Sequence, residues 1–359
     1  MTGSTRSIDW RIVIVASLLL MCGTALARAA DGAAAAVDDD YPLQGEYVGT
    51  ANLDGQVRAV VGLQSLADGE GRFKGLLYMG GLPGAGWDGS PPKRLEGLRE
   101  SGRVHFSGAE VGATVSSGEA SVFDPVHGER GHLWRVVRTS PTLDAAPPQG
   151  ATVLFDGAET DELSGRPVVD DRMLLAGATT REAYRDFYLH VEFRTPYSPS
   201  RRGQGRGNSG VYIQQRYEVQ ILDSFALDGA FNECGALYRQ RAPDVNACLP
   251  PLSWQTYDIW FTAARFDGEG RKIADAIISV LHNGVVVHHN VRLKDKTGAG
   301  QPEAPDPRPI QFQNHGDPVY FRNVWIAPAR PWEDFRPARA DSQLPGVSGR
   351  SNGYALYGR

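Results

Sequence analysis

Glu218 and Gln220 are the residues of this chain whose setting best suits chemistry. They lie in Tyr217-Glu218-Val219-Gln220-Ile221-Leu222-Asp223, where Tyr217, Val219 and Ile221 point one way and Glu218, Gln220 and Leu222 the other. A two-residue period of this kind marks a strand with one face in a core. The opposite face then carries a carboxylate and an amide, followed at once by Asp223, in a segment too apolar for a solvated edge. An idle buried carboxylate is costly. Glu218 is therefore a candidate general acid or base, and Gln220 a candidate partner for ligand hydroxyls.

The same alternation gathers further polar groups. Phe187, Leu189, Val191 and Phe193 alternate with Tyr188, His190, Glu192 and Arg194, and Ile310-Gln311-Phe312-Gln313 leads into Asn314 and His315. Glu192 and His315 join Glu218 as candidate catalytic groups. Arg194, Gln220, Gln313, Tyr238 and Asn208 are candidates for substrate binding, and Asp223 for a metal. If the strands stack so that their polar sides meet, acids, amides and an imidazole converge on one surface, as a sugar pocket needs. Plainer roles stand beside these. Glu192 and Arg194 would make a surface pair of little energetic weight, His315 a turn before Pro318, and Asn208 and Ser209 local partners for loop backbone. His282, His288 and His289 flank a turn and are expected to be exposed. The His and acid spacings match no zinc motif, so a metal here would be a divalent cation of the calcium or magnesium type, held by oxygens.

The elements that must position these groups are strands. The 42 Gly and 23 Pro, with few long helical patterns, describe a strand-and-turn protein. From Tyr41 to about Ser140 run short strand-like segments: 45–50, 57–64, 73–79, 104–106 and 133–137, a small all-β domain of unassigned role. Its Gly80–Gly89 stretch, with Trp87 and Asp88, reads as a turn-rich connector with one packed Trp, or as a sugar-stacking lid. Without a following Lys-Ser/Thr it is no phosphate cradle. Residues 141–150, with Pro147-Pro148, read as a linker. A second domain over 151–328 follows, whose strands include Tyr257-Asp258-Ile259-Trp260-Phe261. It also holds a hairpin over Ala276–His289 turning at Asn283-Gly284, the strongest short-range signal for a type I′ turn. Strands so spaced, without interleaved helices, predict an antiparallel sandwich. Residues 31–40 and 329–359 are expected to have little order.

Residues 1–30 read as a secretory signal peptide. Arg6 and Arg11 flank the start of the apolar run Ile12–Met21, which ends in the small-residue site Ala25-Leu26-Ala27. The run is short for a retained membrane span, so a secreted or periplasmic protein is expected. Lipid anchoring through Cys22 is disfavoured by Met21 before it. In an oxidising compartment Cys234 and Cys248 suit a disulfide closing a short loop, of about 3 kcal/mol if unstrained; two buried thiols are the other reading. The net charge of −5, from 37 Lys+Arg against 42 Asp+Glu, comes without long runs of one sign. That argues against a nucleic-acid partner.

The 151–328 segment resembles the domain-of-unknown-function 1080 family, also called the 3-keto-disaccharide hydrolase domain. The pieces that carry the likeness, in order, are Leu154-Phe155-Asp156-Gly157, Phe187–Arg194, Asn208-Ser209-Gly210-Val211-Tyr212, Tyr217–Asp223, Gly235-Ala236-Leu237-Tyr238, Trp254–Ile259, Leu281–Val287 and Ile310–Trp325. Cys234, Cys248 and the Arg/Gly-rich Arg201–Gly207 insertion depart from the pattern. The resemblance implies a concanavalin A-like jelly-roll β-sandwich with a sugar site on its concave sheet. It also implies an exported hydrolase or lyase acting on 3-keto-disaccharides or 3-keto-glycosides. A keto group at C3 acidifies the C2 hydrogen, a base removes it, the C1 oxygen leaves, and water adds to the unsaturated product. Glu218 or His315 would suit the base, and Arg194, or a cation held by Glu192, Glu218 or Asp223, the enolate. The alternative is a lectin-like carbohydrate-binding protein, since this fold serves both.

Overall fold

In the computed structural model, residues 37–165, 169–170, 172–329 and 355–356 are described. The signal-peptide reading of 1–30, Cys22 and most of the 329–359 tail lie outside them. The chain is all-β, and its described part divides into a closed barrel and a two-sheet sandwich.

The barrel runs β1 (Gly45–Leu53), β2 (Gln56–Ala67), β3 (Arg72–Met79), β4 (Lys93–Glu100), β5 (Arg103–Ser107), β6 (Gly112–Val115), β7 (Glu119–Asp124) and β8 (Gly128–Val137). Neighbours pair in sequence order, and β1 also pairs with β8, which closes the sheet. Closure is tight. A Cβ on Gly49 would lie 2.1 Å from the His132 carbonyl oxygen, and one on Gly131 2.4 Å from that of Thr50. Tyr47, Leu63, Phe73, Phe106, Val122 and Leu133 fill the interior. Strand β4 was invisible in the sequence because only Leu95 and Gly97 turn inward, while Arg94, Glu96 and Leu98 are exposed.

The sandwich contains β9 (Thr152–Phe155), β10 (Leu163–Ser164), β11 (Val169–Asp170), β12 (Met173–Leu175), β13 (Thr179–Thr180), β14 (Phe187–Arg194), β15 (Ser209–Ile213) and β16 (Tyr217–Ile221). It continues with β17 (Gln255–Thr262), β18 (Arg265–Phe266), β19 (Lys272–Ala274), β20 (Ala276–His282), β21 (Val285–Leu293), β22 (Gln311–Phe312) and β23 (Tyr320–Pro328). A last strand, β24 (Ala355–Leu356), adds to β8 of the barrel. One sheet has the order β10-β13-β22-β15-β16. The other has the order β11-β12-β23-β14-β17-β20-β21, with β9 also on β23. The two pack face to face over Leu189, Val191, Phe193, Tyr257, Ile259, Val211, Ile213, Val219 and Ile221. Tyr217 meets Phe261 at 5.6 Å and Phe312 meets Phe321 at 5.0 Å across this core. Each such buried side chain contributes about 1.5–3 kcal/mol. The hairpin turn at Asn283 and Gly284 has φ of 53° and 75°, as a type I′ turn requires.

Several expectations are corrected. The start of the 141–150 linker is not free: Ser140 and Thr142 are buried, bonding Thr256 at 2.6 Å and Asp258 at 2.6 Å respectively. Asp40, expected in a disordered lead-in, is buried and paired with Arg99 at 2.6 Å. Cys234 and Cys248 are free buried thiols, with Cys234 Sγ 3.2 Å from Tyr257 Oη. His282 and His288 are buried, not exposed. Desolvation drives His282 down to about 3 and His288 to about 4, so both are neutral. Trp87 packs edge-on to Tyr78 and donates to the Ser90 carbonyl, which makes Gly80–Gly89 a packed connector.

Candidate active site

Cross-strand register decides what meets on the five-stranded sheet. Tyr212 stands opposite both Glu218 and Gln311, and Gly210 opposite Gln220, while Gln313 N–H donates to the Gly210 carbonyl at 2.8 Å. Cross-strand partners share a face. Since Val211, Val219 and Phe312 are in the core, Gln311, Tyr212 and Glu218 form one row on the outer face. Gln313, Gly210 and Gln220 form the next.

Glu218 is 2% exposed. Its Oε2 accepts from Tyr212 Oη at 2.8 Å, its N–H donates to Thr297 Oγ1 at 2.6 Å, and its carbonyl accepts from Tyr238 N–H at 3.1 Å. Burial pushes its pKa up to about 7, against the lowering effect of the Tyr212 hydrogen bond. No ion pair reaches it among the described residues. Space around the carboxylate is kept by glycine: a Cβ on Gly210 would lie 2.5 Å from Glu218 Oε1. A Cβ on Gly298 would lie 2.9 Å from Tyr238 Cδ1 and 3.7 Å from Glu218 Oε2. The turn at Thr297-Gly298 and the half-buried Tyr238 therefore wall the acid.

Beside it is an amide cluster. Gln220 Nε2 donates to Gln204 Oε1 at 3.0 Å, and Asn208 Nδ2 to the Gln204 carbonyl at 2.8 Å. Asn208 Oδ1 and Gln313 Oε1 are buried acceptors without a hydrogen-bond partner. Of the candidates read from sequence, Glu218, Gln220, Gln313, Asn208 and Tyr238 thus come together. His315 is exposed in the turn two residues beyond Gln313.

Glu192 and Arg194 do not join them, which corrects the expected single hollow. Residues of β14 alternate as anticipated, but β14 belongs to the eight-stranded sheet, whose outer face lies on the far side of the core. There Glu192 accepts from Arg322 Nε at 2.7 Å, Asn323 Nδ2 at 2.9 Å and the Asp144 N–H at 2.5 Å. Burial pushes its pKa up, yet the bonds from His190, Asn323 and Asp144 with the Arg322 charge outweigh it and hold it below the usual range. His190 Nδ1 bonds Asp258 Oδ1 at 2.8 Å. Burial opposes its charge, but Asp258 and Glu192 raise its pKa to about 9. Arg194 lies over Trp254 at 5.1 Å and Tyr320 at 5.7 Å. Glu192 and Arg194 are thus engaged within the eight-stranded sheet and its cover, with the Asp144 N–H and Thr142 Oγ1 of the preceding segment bonding Glu192 and Asp258 respectively.

Asp223 is not arranged as a metal ligand either. It is buried and pairs with Arg206 Nε at 2.7 Å, and its pKa is raised because desolvation outweighs that pairing. A guanidinium is a poor neighbour for a cation, and among the described residues no three His, Cys, Asp or Glu side chains gather. Of the acids expected to hold a divalent cation, Asp223 is paired with Arg206 and Glu192 lies on the other sheet from Glu218. Missed by sequence reading were Tyr212, Gly210 and Gln204, together with Thr297 and Gly298. The parity of Tyr212 with Gly210 was a usable signal; nothing local announced the turn at 297–298.

Fold and site together define a jelly-roll β-sandwich protein with one carboxylate sunk in an amide-lined outer face, preceded by a closed barrel. Residues 150–327 match, and belong to, the 3-keto-alpha-glucoside-1,2-lyase-like domain family. Among solved structures, three proteins from Parabacteroides distasonis, each provisionally named a glycosyl hydrolase, are similar to this chain. The first is 31% identical over 50% of this chain and 84% of its own, with a TM-score of 0.47. The second is 19% identical over 51% and 95%, with a TM-score of 0.36. The third is 21% identical over 51% and 92%, with a TM-score of 0.32. No functionally curated protein matches the chain significantly.

Proposed function

We propose that the protein is a glycoside-cleaving enzyme acting on 3-keto-disaccharides or 3-keto-glycosides, with Glu218 as the base that removes the C2 proton. The family match over 150–327 supports a glycoside-acting enzyme in general. The finer reading rests on one observation: Glu218 is buried, hydrogen-bonded by Tyr212, lacks an ion-pair partner among the described residues, and has a pKa of about 7. A carboxylate so raised is more basic than an ordinary one, yet substantially ionised at neutral pH.

In this mechanism Tyr212 holds the Glu218 carboxylate in place while it takes the C2 proton. Charge then builds on the C3 oxygen, where donors such as Tyr238 Oη and the Gln313 amide would be needed. The C1 oxygen departs as the alcohol, taking a proton so that Glu218 returns to its carboxylate form, and water adds across the resulting C1–C2 double bond to complete net hydrolysis. His315, exposed at the end of β22, is a second candidate for proton transfer. The apolar leader followed by small residues motivates a secreted or periplasmic location. Among the described residues no helix is long and apolar enough to cross a membrane.

A lectin-like reading is favoured by the amide cluster alone, because Gln204, Asn208, Gln220 and Gln313 suit hydroxyl binding without chemistry. Turnover of a panel of 3-keto-glucosides by the purified protein decides between them. Binding without turnover of any member leaves the lectin.

A further inference from the structure

We propose that the β1–β8 barrel is a positioning part of the sugar site: its β2–β3 turn holds the Arg201–Gly207 segment, whose Gln204 fixes the amides that meet the ligand. The inference rests on the reading of the outer face of the five-stranded sheet as a sugar site, and gives the barrel a role.

The segment Ser198-Pro199-Ser200-Arg201-Arg202-Gly203-Gln204-Gly205-Arg206-Gly207 has no apolar side chain beyond the proline. It cannot be held by core burial, so polar anchors must set its shape. Its three arginines point to three different elements. Arg201 Nη1 bonds Asp317 Oδ1 at 2.7 Å, in the turn between β22 and β23. Arg206 Nε bonds Asp223 Oδ2 at 2.7 Å, just past β16. Arg202 Nη2 reaches the barrel, bonding the Asp68 carbonyl at 2.6 Å and its Oδ1 at 3.0 Å.

The barrel turn is shaped for this contact. Gly69 has φ +82°, and a Cβ there would lie 2.8 Å from Ser200 Oγ and 3.2 Å from Ser200 Cα. A glycine is thus needed both for the backbone and for the approach of the segment. Asp68 N–H bonds the Arg72 carbonyl at 2.8 Å and Arg72 N–H bonds that of Gly69 at 3.0 Å, so the turn is itself rigid.

What the anchors deliver is Gln204. Its Nε2 donates to the Asn232 carbonyl at 2.8 Å, its Oε1 accepts from Gln220, and its carbonyl accepts from Asn208. With Gln220 and Asn208 so oriented, Asn208 Oδ1 and Gln313 Oε1 remain as buried acceptors without a partner. Such atoms are costly in a folded protein unless a donor arrives. A polyhydroxyl ligand supplies donors of that kind.

The test uses the full chain with 3-keto-trehalose as probe. Arg202 is half exposed and its ion pair carries little global stability, so Arg202→Ala is expected to fold. It should raise KM about ten-fold, the worth of one hydrogen bond, with kcat held. Arg202→Lys should recover part of the loss. Gln204→Ala should raise KM at least as far. The double variant should be no worse than Gln204→Ala, because both act through one amide. Hydrogen exchange at residues 203–208 should quicken in Arg202→Ala. An unchanged KM with unchanged exchange in Arg202→Ala, or multiplying effects in the double variant, overturns the proposal. If wild type binds the probe without turnover, the enzymatic reading fails alone and the same comparisons are made on Kd. If wild type binds neither 3-keto-trehalose nor trehalose, the positioning role falls as well.

Discussion

Tyr212 and Glu218 face each other across β15 and β16, and the phenol donates to the carboxylate at 2.8 Å. The pair puts a buried acid of raised pKa on the outer face of a sheet whose inner face is core. Tyr212 steers the carboxylate without neutralising it, which is what a proton-transfer group needs.

Glu218→Gln keeps size and hydrogen bonding and removes the base. Turnover of a 3-keto-glycoside should fall about 10³-fold, the range for losing general base catalysis, while calorimetric Kd changes little. Retained turnover would remove Glu218 from the mechanism.

The pH profile should follow the same group. Glu218 must be ionised to act as base, so kcat/KM is expected to rise with pH and level off above about 7. Tyr212→Phe removes the bond that lowers this pKa, so the limb should move to higher pH, with activity recovering in alkaline buffer. A limb that stays in place would argue that another group titrates.

Stability should carry the opposite sign. Folding raises the pKa of Glu218, so the native state keeps a proton that the unfolded chain releases at lower pH. Stability from this residue falls as pH rises from the usual glutamate range through about 7, by on the order of 3 kcal/mol at most. Glu218→Gln should therefore melt higher than wild type at pH 8, with the difference shrinking towards pH 4.

Glu192→Ala probes the other sheet. It removes one of the two carboxylate partners of Arg322, the other being Asp144, and disturbs His190, a buried network whose disruption costs about 3–5 kcal/mol. Denaturant midpoints should drop accordingly, while kcat per folded molecule stays near wild type. A selective loss of kcat would return Glu192 to the catalytic set.

Gly210→Ala should act on geometry alone, because the new methyl would lie 2.5 Å from Glu218 Oε1. Displacement of the carboxylate is expected to cut kcat more than Kd, which steady-state kinetics and calorimetry would separate.

Alternation along each strand was enough to say which side chains leave the core. Val219 and Ile221 inward with Glu218 and Gln220 outward, the Asn283-Gly284 hairpin and the all-β class were legible because they depend on neighbours two to four residues apart. A sandwich, however, has two outer faces, and a period of two cannot tell which sheet a strand joins. His190, Glu192 and Arg194 obey the same parity as Glu218, yet β14 pairs with β17 and β23 and carries them to the far side of the core. The turn at Thr297-Gly298 and the Gln204 segment reach Glu218 and Gln220 through contacts distant in sequence, some of them anchored on the barrel. Only the folding of the chain back on itself, governed by sheet pairing and by the burial of both inner faces together, brought those groups to one place.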